Sequence, residues 1–199
     1  MGSMGDDTGA GGRRVRVGVT GHRTVPDDPR LAERVADTLA RIRELAQDHG
    51  DGPVHFTVVS ALAEGADRLV AQTVLREPGG RLHAVLPLAR AEYLTDFAGA
   101  ASHDAFLALL DAAHRVSILP PFASRETAYE AGGRRVVQEA DALIALWDGM
   151  PARGRGGTAE IVALARRCGL PLFWLVPAAP YPLWEELGHG LRPRAEDHR

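Results

Sequence analysis

The residues of this sequence that could do chemistry lie in three short polar stretches, each of which contains glycine. In the first, "TGHR", Gly21 permits a close backbone approach, while His22 and Arg23 can donate hydrogen bonds to a phosphate or stack on a base. A solvated strand end is the alternative interpretation of this pair. We favour a binding role because the stretch follows a run of valines that predicts a central strand.

The second stretch is "SALAEGAD", which runs from Ser60 to Asp67 and includes Gly65. The carboxylates of Glu64 and Asp67 could accept hydrogen bonds from ribose hydroxyls, as acidic residues do in nucleotide sites. Equally, they could be acids of the first helical turn, where a negative charge favours the positive end of the helix dipole. The sequence leaves both interpretations open.

The third stretch begins at Asp148 and includes "RGRGGTAE", which ends at Glu160. Gly156 and Gly157 carry no side chains at the predicted start of a helix, so backbone N–H groups near Thr158 could bind a phosphate. A flexible loop followed by a threonine N-cap is the alternative. No lysine follows these glycines and no G-x-G-x-x-G follows the first strand, so neither a Walker ATPase nor an ordinary dinucleotide dehydrogenase is indicated.

The segments that must position these stretches alternate between short apolar runs and amphipathic runs. The apolar runs predict six strands, over residues 14–20, 54–60, 82–88, 115–120, 142–147 and 171–176. The amphipathic runs predict five helices, over residues 31–47, 67–76, 102–113, 126–140 and 158–168. Strands that are apolar on both faces and alternate with helices are typical of a parallel sheet covered on both sides. We therefore predict an α/β, doubly wound three-layer sandwich with a mainly parallel sheet of about six strands.

In such folds ligands bind beyond the carboxyl ends of the strands, and all three polar stretches follow predicted strands. Aromatic residues nearby have two interpretations each. Tyr93 and Phe97 could form a lid that stacks on a base, or they could pack in the core. Trp147 could form the floor of a ligand site, or it could be buried with its indole N–H on a carbonyl.

The composition narrows the classes of function. The formal net charge is −3, so nucleic-acid binding is disfavoured, and no apolar run approaches the ~20 residues of a membrane span. The single cysteine, Cys168, cannot form an internal disulfide, and the first residues lack the pattern of a secretory signal, so we predict a cytoplasmic protein. The histidines show no metal-ligand spacing, and we predict neither a metal site nor a cofactor.

Three segments are predicted along the chain. Residues 1–13 are predicted to be a disordered leader, residues 14–176 a ligand-binding domain, and residues 177–199 a C-terminal tail rich in proline and charge. We expect Trp184 in this tail to be a packing anchor.

At the three polar stretches the sequence resembles the SLOG superfamily, the Rossmann-like nucleotide-binding domains that include LOG phosphoribohydrolases and DprA proteins. "GVTGHR" resembles the first-strand motif of the YspA/cpYpsA-related branch. "VVSALAEGAD" resembles the "SGLAxGID" element of DprA-like proteins, and "ADALIALWDGMPARGRGGTAE" resembles the "SDAFIALPGGxGTxxE" region of LOG enzymes. The resemblance covers about residues 14–176 and implies a Rossmann-like fold.

The resemblance also implies that the protein binds or senses a nucleotide or nucleotide derivative, with the phosphate at the Gly-Gly-Thr helix start. The ligand-binding candidates that it carries over are Gly21, His22, Arg23, Ser60, Gly65, Asp148, Gly156, Gly157 and Thr158. It implies pairing into a homo-oligomer through the helices of the domain. A DprA-like module for single-stranded DNA is the weakest hypothesis, because no basic stripe with interleaved aromatic residues is present.

The enzymatic alternative is a nucleoside 5′-monophosphate phosphoribohydrolase, which would release free base and ribose 5-phosphate. Glycosidic cleavage needs a carboxylate near an oxocarbenium-like state. The candidates are Glu160, Glu64 and Asp67. Two positions depart from the LOG pattern: Ile161 stands where the LOG glutamate would follow Thr158, and Gly132 stands where the LOG arginine would align. The nearest arginines are Arg134 and Arg135.

Overall fold

The computed structural model describes residues 12–48, 52–151 and 156–188. Apart from its last two residues, the leader predicted for residues 1–13 lies outside the described residues. The last part of the predicted tail, residues 189–199, and residues 152–155 of the third stretch also lie outside them.

Seven strands form one sheet in the described part of the chain. They are β1 (Arg13–Gly21), β2 (Val54–Ser60), β3 (Arg81–Leu86), β4 (Arg115–Ile118), β5 (Ala142–Leu146), β6 (Leu172–Leu175) and β7 (Leu183–Glu186). The strand order is β4-β3-β2-β1-β5-β6-β7, and only the pair of β6 and β7 is antiparallel. The prediction of a mainly parallel sheet is confirmed, and the order reverses direction between β1 and β5.

Six helices connect these strands in the described ranges. They are α1 (Pro29–Gln47), α2 (Ala66–Arg76), α3 (Arg90–Leu94), α4 (Gly99–Asp111), α5 (Arg125–Glu139) and α6 (Thr158–Arg167). Five of them match predicted helices to within three residues at each end, and the short helix α3 was not predicted. None of the helices in these ranges combines the length and apolar character needed to cross a bilayer.

Apolar side chains bury both faces of the sheet, as the continuous apolar strands predicted. On one face Val15, Val17 and Val19 of β1 join a cluster with the buried residues of α1, α2 and α4. On the other face Val59 and Leu143 join a cluster with α5 and α6. The three-layer α/β sandwich is therefore confirmed.

The seventh strand extends the sheet beyond the predicted domain. Two ion pairs attach β7 to flanking helices, one from Arg166 Nη2 of α6 to Glu186 Oε1 at 2.5 Å and one from Arg41 Nε of α1 to Glu185 Oε1 at 3.1 Å. Trp184 is 58% exposed, so its expected anchoring role is wrong. The reason is strand alternation, because Leu183 packs against the core and Trp184 faces the other way.

Candidate functional site

A cavity opens where the strand order reverses, which is the position at which open parallel sheets bind ligands. Gly21 is paired with Leu146 in the sheet register, and the backbone N–H of His22 donates to the Leu146 carbonyl oxygen at 3.0 Å. The volume is about 340 Å³. This lies within the range of roughly 300–1,000 Å³ that is usual for small-molecule sites.

The cavity wall includes residues from all three polar stretches. Eight of the predicted site residues line it: Gly21, His22, Arg23, Asp67, Asp148, Gly156, Gly157 and Thr158. The other four, Ser60, Glu64, Gly65 and Glu160, lie outside the wall. The fold thus brings most of the candidates together, and the remaining four make contacts of other kinds.

Gly21 and Gly65 allow the first two stretches to touch. A Cβ on Gly21 would lie 2.4 Å from the Cβ of Ala66, and a Cβ on Gly65 would lie 2.4 Å from the carbonyl oxygens of both His22 and Arg23. The backbone N–H of Ala66 donates to the His22 carbonyl oxygen at 3.1 Å. Gly65 therefore has a structural role at the site. Because it has no side chain, the first stretch can pack against the start of α2.

A buried hydrogen-bond network holds the second stretch in place. Ser60 Oγ donates to Asp67 Oδ2 at 3.0 Å and accepts the backbone N–H of Leu62 at 2.9 Å. Leu62 is fully buried with a φ of 59°, and Arg68 Nε donates to its carbonyl oxygen at 3.1 Å. A non-glycine residue in this conformation persists only where its surroundings impose it, which is common at ligand sites. Ser60 thus does not line the cavity itself, but it positions the side chain of Asp67, which does.

Asp67 is the buried acid of the cavity. Burial raises the pKa of its carboxyl to about 6. Hydrogen bonds from Ser60 and from the backbone of Ala63 and Ala61, together with the charge of Arg23, oppose this rise. A carboxyl with such a pKa can exchange a proton near neutral pH, and when ionised it can accept hydrogen bonds from a sugar.

Arg23 is an exposed cation in the wall of the cavity. Its guanidinium carbon lies 5.7 Å from the centroid of the Tyr129 ring on α5. Across residues 12–48, 52–151 and 156–188, no carboxylate forms an ion pair with it. The guanidinium donors are therefore available to a phosphate or carboxylate of a ligand.

His22 connects the first stretch to the third. Its Nε2 accepts the backbone N–H of Asp148 at 3.0 Å and lies 3.3 Å from Asp148 Oδ1. Asp148 Oδ1 in turn accepts the backbone N–H of Met150 at 2.9 Å, which closes a tight turn. The indole N–H of Trp147 donates to the Met150 carbonyl oxygen at 2.9 Å, and the Trp147 ring also lines the cavity. Trp147 is thus a buried residue with a bonded indole N–H and at the same time part of the wall.

Helix α6 begins at the cavity, with Gly157 as its N-cap. Glu160 Oε2 reaches back past the N-cap residue and accepts the backbone N–H of Gly156 at 2.7 Å. This contact occupies one of the N–H groups predicted to bind phosphate, and its negative charge offsets part of the helix dipole. The first-turn N–H groups of Thr158 and Ala159 have no acceptor within the helix and remain at the wall.

Glu64 lies against α4 instead of the cavity. Its Oε1 accepts a hydrogen bond from Ser102 Oγ and one from the backbone N–H of Ala98 at 3.4 Å. The structure therefore separates Glu64 from Asp67, although the two acids are only three positions apart in the sequence.

The wall is apolar where the resemblance to LOG enzymes would require charged side chains. Ile161 is 3% exposed and packs over Gly133, where an added Cβ would lie 2.3 Å from Ile161 Cδ1. Arg134 and Arg135 pair with glutamates of their own helix and do not line the cavity. Neither departure from the LOG pattern is compensated by a charged side chain of α5 or α6 at the wall, since both helices lie within the described residues and contribute none there.

Among the aromatic residues, Tyr93 and Phe97 are core residues, which is the second of their two interpretations. Both are buried, and their ring centroids lie 4.9 Å apart in an edge-on arrangement. Tyr129 lines the cavity and was missed at the sequence level. The signal in the sequence was Gly132, where the LOG arginine would align, because Tyr129 lies three positions before it and therefore on the same side of the predicted helix.

The described residues include no group of three or more histidine, cysteine, aspartate or glutamate side chains arranged to hold a metal ion. The free cysteine, Cys168, is exposed at the end of α6 and is not part of the cavity. Among the described residues, the groups that the cavity offers to a ligand include the guanidinium of Arg23, the imidazole of His22, the carboxyls of Asp67 and Asp148, a helix start and aromatic rings.

No family model and no curated protein matches the sequence. Among solved structures, the chain is similar to DNA processing protein A from Helicobacter pylori, a protein described for its mode of binding single-stranded DNA. The two are 18% identical, the match covers 85% of this chain and 68% of that chain, and the TM-score is 0.52. A likeness at this level of identity shows a common α/β, Rossmann-like fold.

Proposed function

We propose that this protein binds a nucleotide or nucleotide derivative in the cavity at the carboxyl ends of β1 and β5, as a SLOG-type protein. The observation that carries the proposal is the convergence of three separate polar stretches on one cavity at the reversal of strand order. The fold shared with DNA processing protein A supports the placement in the superfamily. The closer relation to the YspA/cpYpsA-related branch rests on the "GVTGHR" motif alone.

Each part of a nucleotide has a suitable partner in the wall. The guanidinium of Arg23 and the N–H groups at the start of α6 suit the phosphate. The ionised carboxylate of Asp67 suits ribose hydroxyls. The rings of Tyr129 and Trp147 supply flat apolar surface for the base.

Replacing Arg23 is expected to weaken ligand binding without affecting the fold. Arg23→Ala removes a charge-assisted contact of about 1.5–3 kcal/mol, which corresponds to a loss of roughly 10- to 100-fold in affinity. Isothermal titration calorimetry with a panel of nucleoside mono-, di- and triphosphates measures this loss. The matched control is Arg134→Ala, which removes an exposed arginine that lies outside the cavity.

Two outcomes would contradict the proposed site. In the first, none of the nucleotides binds to or thermally stabilises the wild-type protein at millimolar concentration. In the second, Arg134→Ala weakens binding as much as Arg23→Ala does, which would place the phosphate elsewhere.

The geometry favours binding over glycosidic cleavage. Ile161 fills the wall at the position of the LOG glutamate, and no arginine reaches the cavity from α5. We expect no free base when the protein is incubated at high concentration with nucleoside 5′-monophosphates and the products are separated by chromatography. If the wild-type protein released free base and the Asp67→Asn variant did not, the enzymatic alternative would be established, with Asp67 as its catalytic carboxylate.

Single-stranded DNA is a second candidate ligand, because the structurally similar DNA processing protein A is described as binding it. The net charge of −3 opposes this, since non-specific affinity for a polyanion depends on many cationic contacts. Fluorescence anisotropy of a labelled oligothymidylate distinguishes the candidates. If the ligand is a nucleotide, we expect no saturable binding of the oligothymidylate at 100 mM salt. Micromolar binding of the oligothymidylate that is weakened by Arg23→Ala would instead favour DNA.

A further inference from the structure

Ser117, His83 and Glu139 form a continuous relay that is separate from the cavity. Ser117 Oγ lies 2.9 Å from His83 Nε2, and His83 Nδ1 lies 2.9 Å from Glu139 Oε2. The three residues come from β4, β3 and α5, and none of them lines the cavity. The order and both distances are those of a nucleophile, a base and an orienting acid in serine hydrolases.

The surroundings determine where the proton of the imidazole lies. An ionised Glu139 can only accept a hydrogen bond, so His83 Nδ1 carries the proton and Nε2 presents its lone pair to Ser117. Burial lowers the pKa of His83, with Glu139 opposing and the charges of Arg115 and Arg135 reinforcing this effect. A neutral imidazole in this tautomer can take the proton of the serine hydroxyl.

The acid of the relay is itself held in position. Arg135 Nε contacts Glu139 Oε1, one helical turn away, which leaves Oε2 for His83. The Glu139 side chain is 17% exposed and that of His83 is 6% exposed, so water competes little for the bond between them. Glu139 is therefore a positioning residue for the imidazole.

The serine lies on a terminal strand of the sheet. Within the described residues β4 pairs only with β3, and Ser117 is half-buried. The backbone N–H of Leu119 points inward and donates to the Leu86 carbonyl oxygen at 2.9 Å. Because N–H groups alternate along a strand, the N–H of Ile118 points away from β3. In α/β hydrolases the residue after the nucleophilic serine supplies one N–H of the oxyanion hole.

We propose that Ser117 is the nucleophile of a second site, an esterase-type centre for small carboxylic esters. Ser117 Oγ bonds to the carbonyl carbon as its proton passes to His83 Nε2, and that proton leaves with the alkoxide of the broken ester bond. Water then attacks the acyl-serine, gives one proton to His83 Nε2, and releases the carboxylic acid. The proton on His83 returns to Ser117 Oγ, which restores the starting state.

An active-site-directed fluorophosphonate tests this directly, since Ser117 Oγ would displace fluoride and retain the phosphonyl group. Mass spectrometry of the wild-type protein is expected to show one adduct, on Ser117. Ser117→Ala and His83→Gln are expected to lower the labelling rate at least about 100-fold. Ser124→Ala, at an exposed serine that caps α5, is the matched control and retains full labelling.

Glu139→Gln separates a positioning role from a merely structural one. It is expected to lower the labelling rate and to change its dependence on pH, while circular dichroism shows an intact fold. The proposal is wrong if the folded wild-type protein acquires no adduct on Ser117 under prolonged excess of the probe. It is also wrong if His83→Gln is labelled as fast as the wild type. The first of these results needs no variant, so misfolding of a variant does not obscure it.

Discussion

Gly65→Ala is expected to lower the free energy of unfolding by about 3 kcal/mol and to abolish nucleotide binding in the cavity. The new Cβ would lie 2.4 Å from two backbone carbonyl oxygens, those of His22 and Arg23. Backbone atoms cannot rotate away as a flexible side chain can, so the loop that carries Arg23 must move. The residue also has a φ of 76°, which adds a conformational cost for alanine.

Gly99→Ala provides a matched control for the conformational part of this cost. Gly99 has a nearly identical φ of 77°, but a Cβ there would meet nothing within 4 Å. We expect Gly99→Ala to cost about 1–2 kcal/mol in urea unfolding and to leave ligand binding unchanged. If Gly65→Ala and Gly99→Ala lower the free energy of unfolding equally, the close contact between the first stretch and α2 does not contribute to stability.

Because of Asp67, the free energy of unfolding of the wild-type protein is expected to fall by about 3 kcal/mol as the pH rises from about 4 to about 6. The Asp67→Asn variant is expected not to show this fall. The pKa of the Asp67 carboxyl rises from the usual 3.8 to about 6 in the folded state because of burial. Between these values the folded protein binds the proton more tightly than the unfolded chain, so raising the pH favours unfolding. Urea unfolding of both proteins at several pH values measures the difference between their slopes.

Ser60→Ala gives an independent check on the same carboxyl. The Ser60 hydroxyl donates to Asp67 Oδ2 and so favours the ionised form. Without this bond the pKa of Asp67 should rise further, and the region of falling stability should extend to higher pH. Identical pH slopes in the wild type, Asp67→Asn and Ser60→Ala would show that Asp67 titrates as an ordinary exposed acid.

The convergence of the three polar stretches was predictable because it follows from sheet geometry. Carboxyl ends of parallel strands lie at one edge, so loops after β1, β2 and β5 meet there whatever their sequences. The contacts within the loops were less predictable, because each polar side chain could form hydrogen bonds with several different groups nearby. Glu160, for example, was a catalytic candidate, and the structure places it outside the cavity wall with its carboxylate on the backbone N–H of Gly156.

Features that depend on contacts between residues distant in the sequence could not be predicted from local sequence patterns. β7 is short and pairs at the edge of the sheet, so its residues lack the apolar run by which the buried strands were recognised. The relay of Ser117, His83 and Glu139 joins three elements, and no local spacing reveals it. His83 was considered only as a metal ligand, because its partners become visible only when β3 and β4 pair in register.

Chemical-shift mapping tests the proposed nucleotide site most directly. ¹⁵N-labelled protein is titrated with adenosine, guanosine, cytidine and uridine 5′-monophosphates, and backbone amide shifts are followed to saturation. For at least one nucleotide we expect saturable shifts concentrated on the cavity wall, at Gly21, His22, Arg23, Ala61, Ala63, Asp148, Gly157, Thr158 and Ala159. Saturable shifts centred elsewhere, or no shifts with any nucleotide at millimolar concentration, would contradict the proposed function.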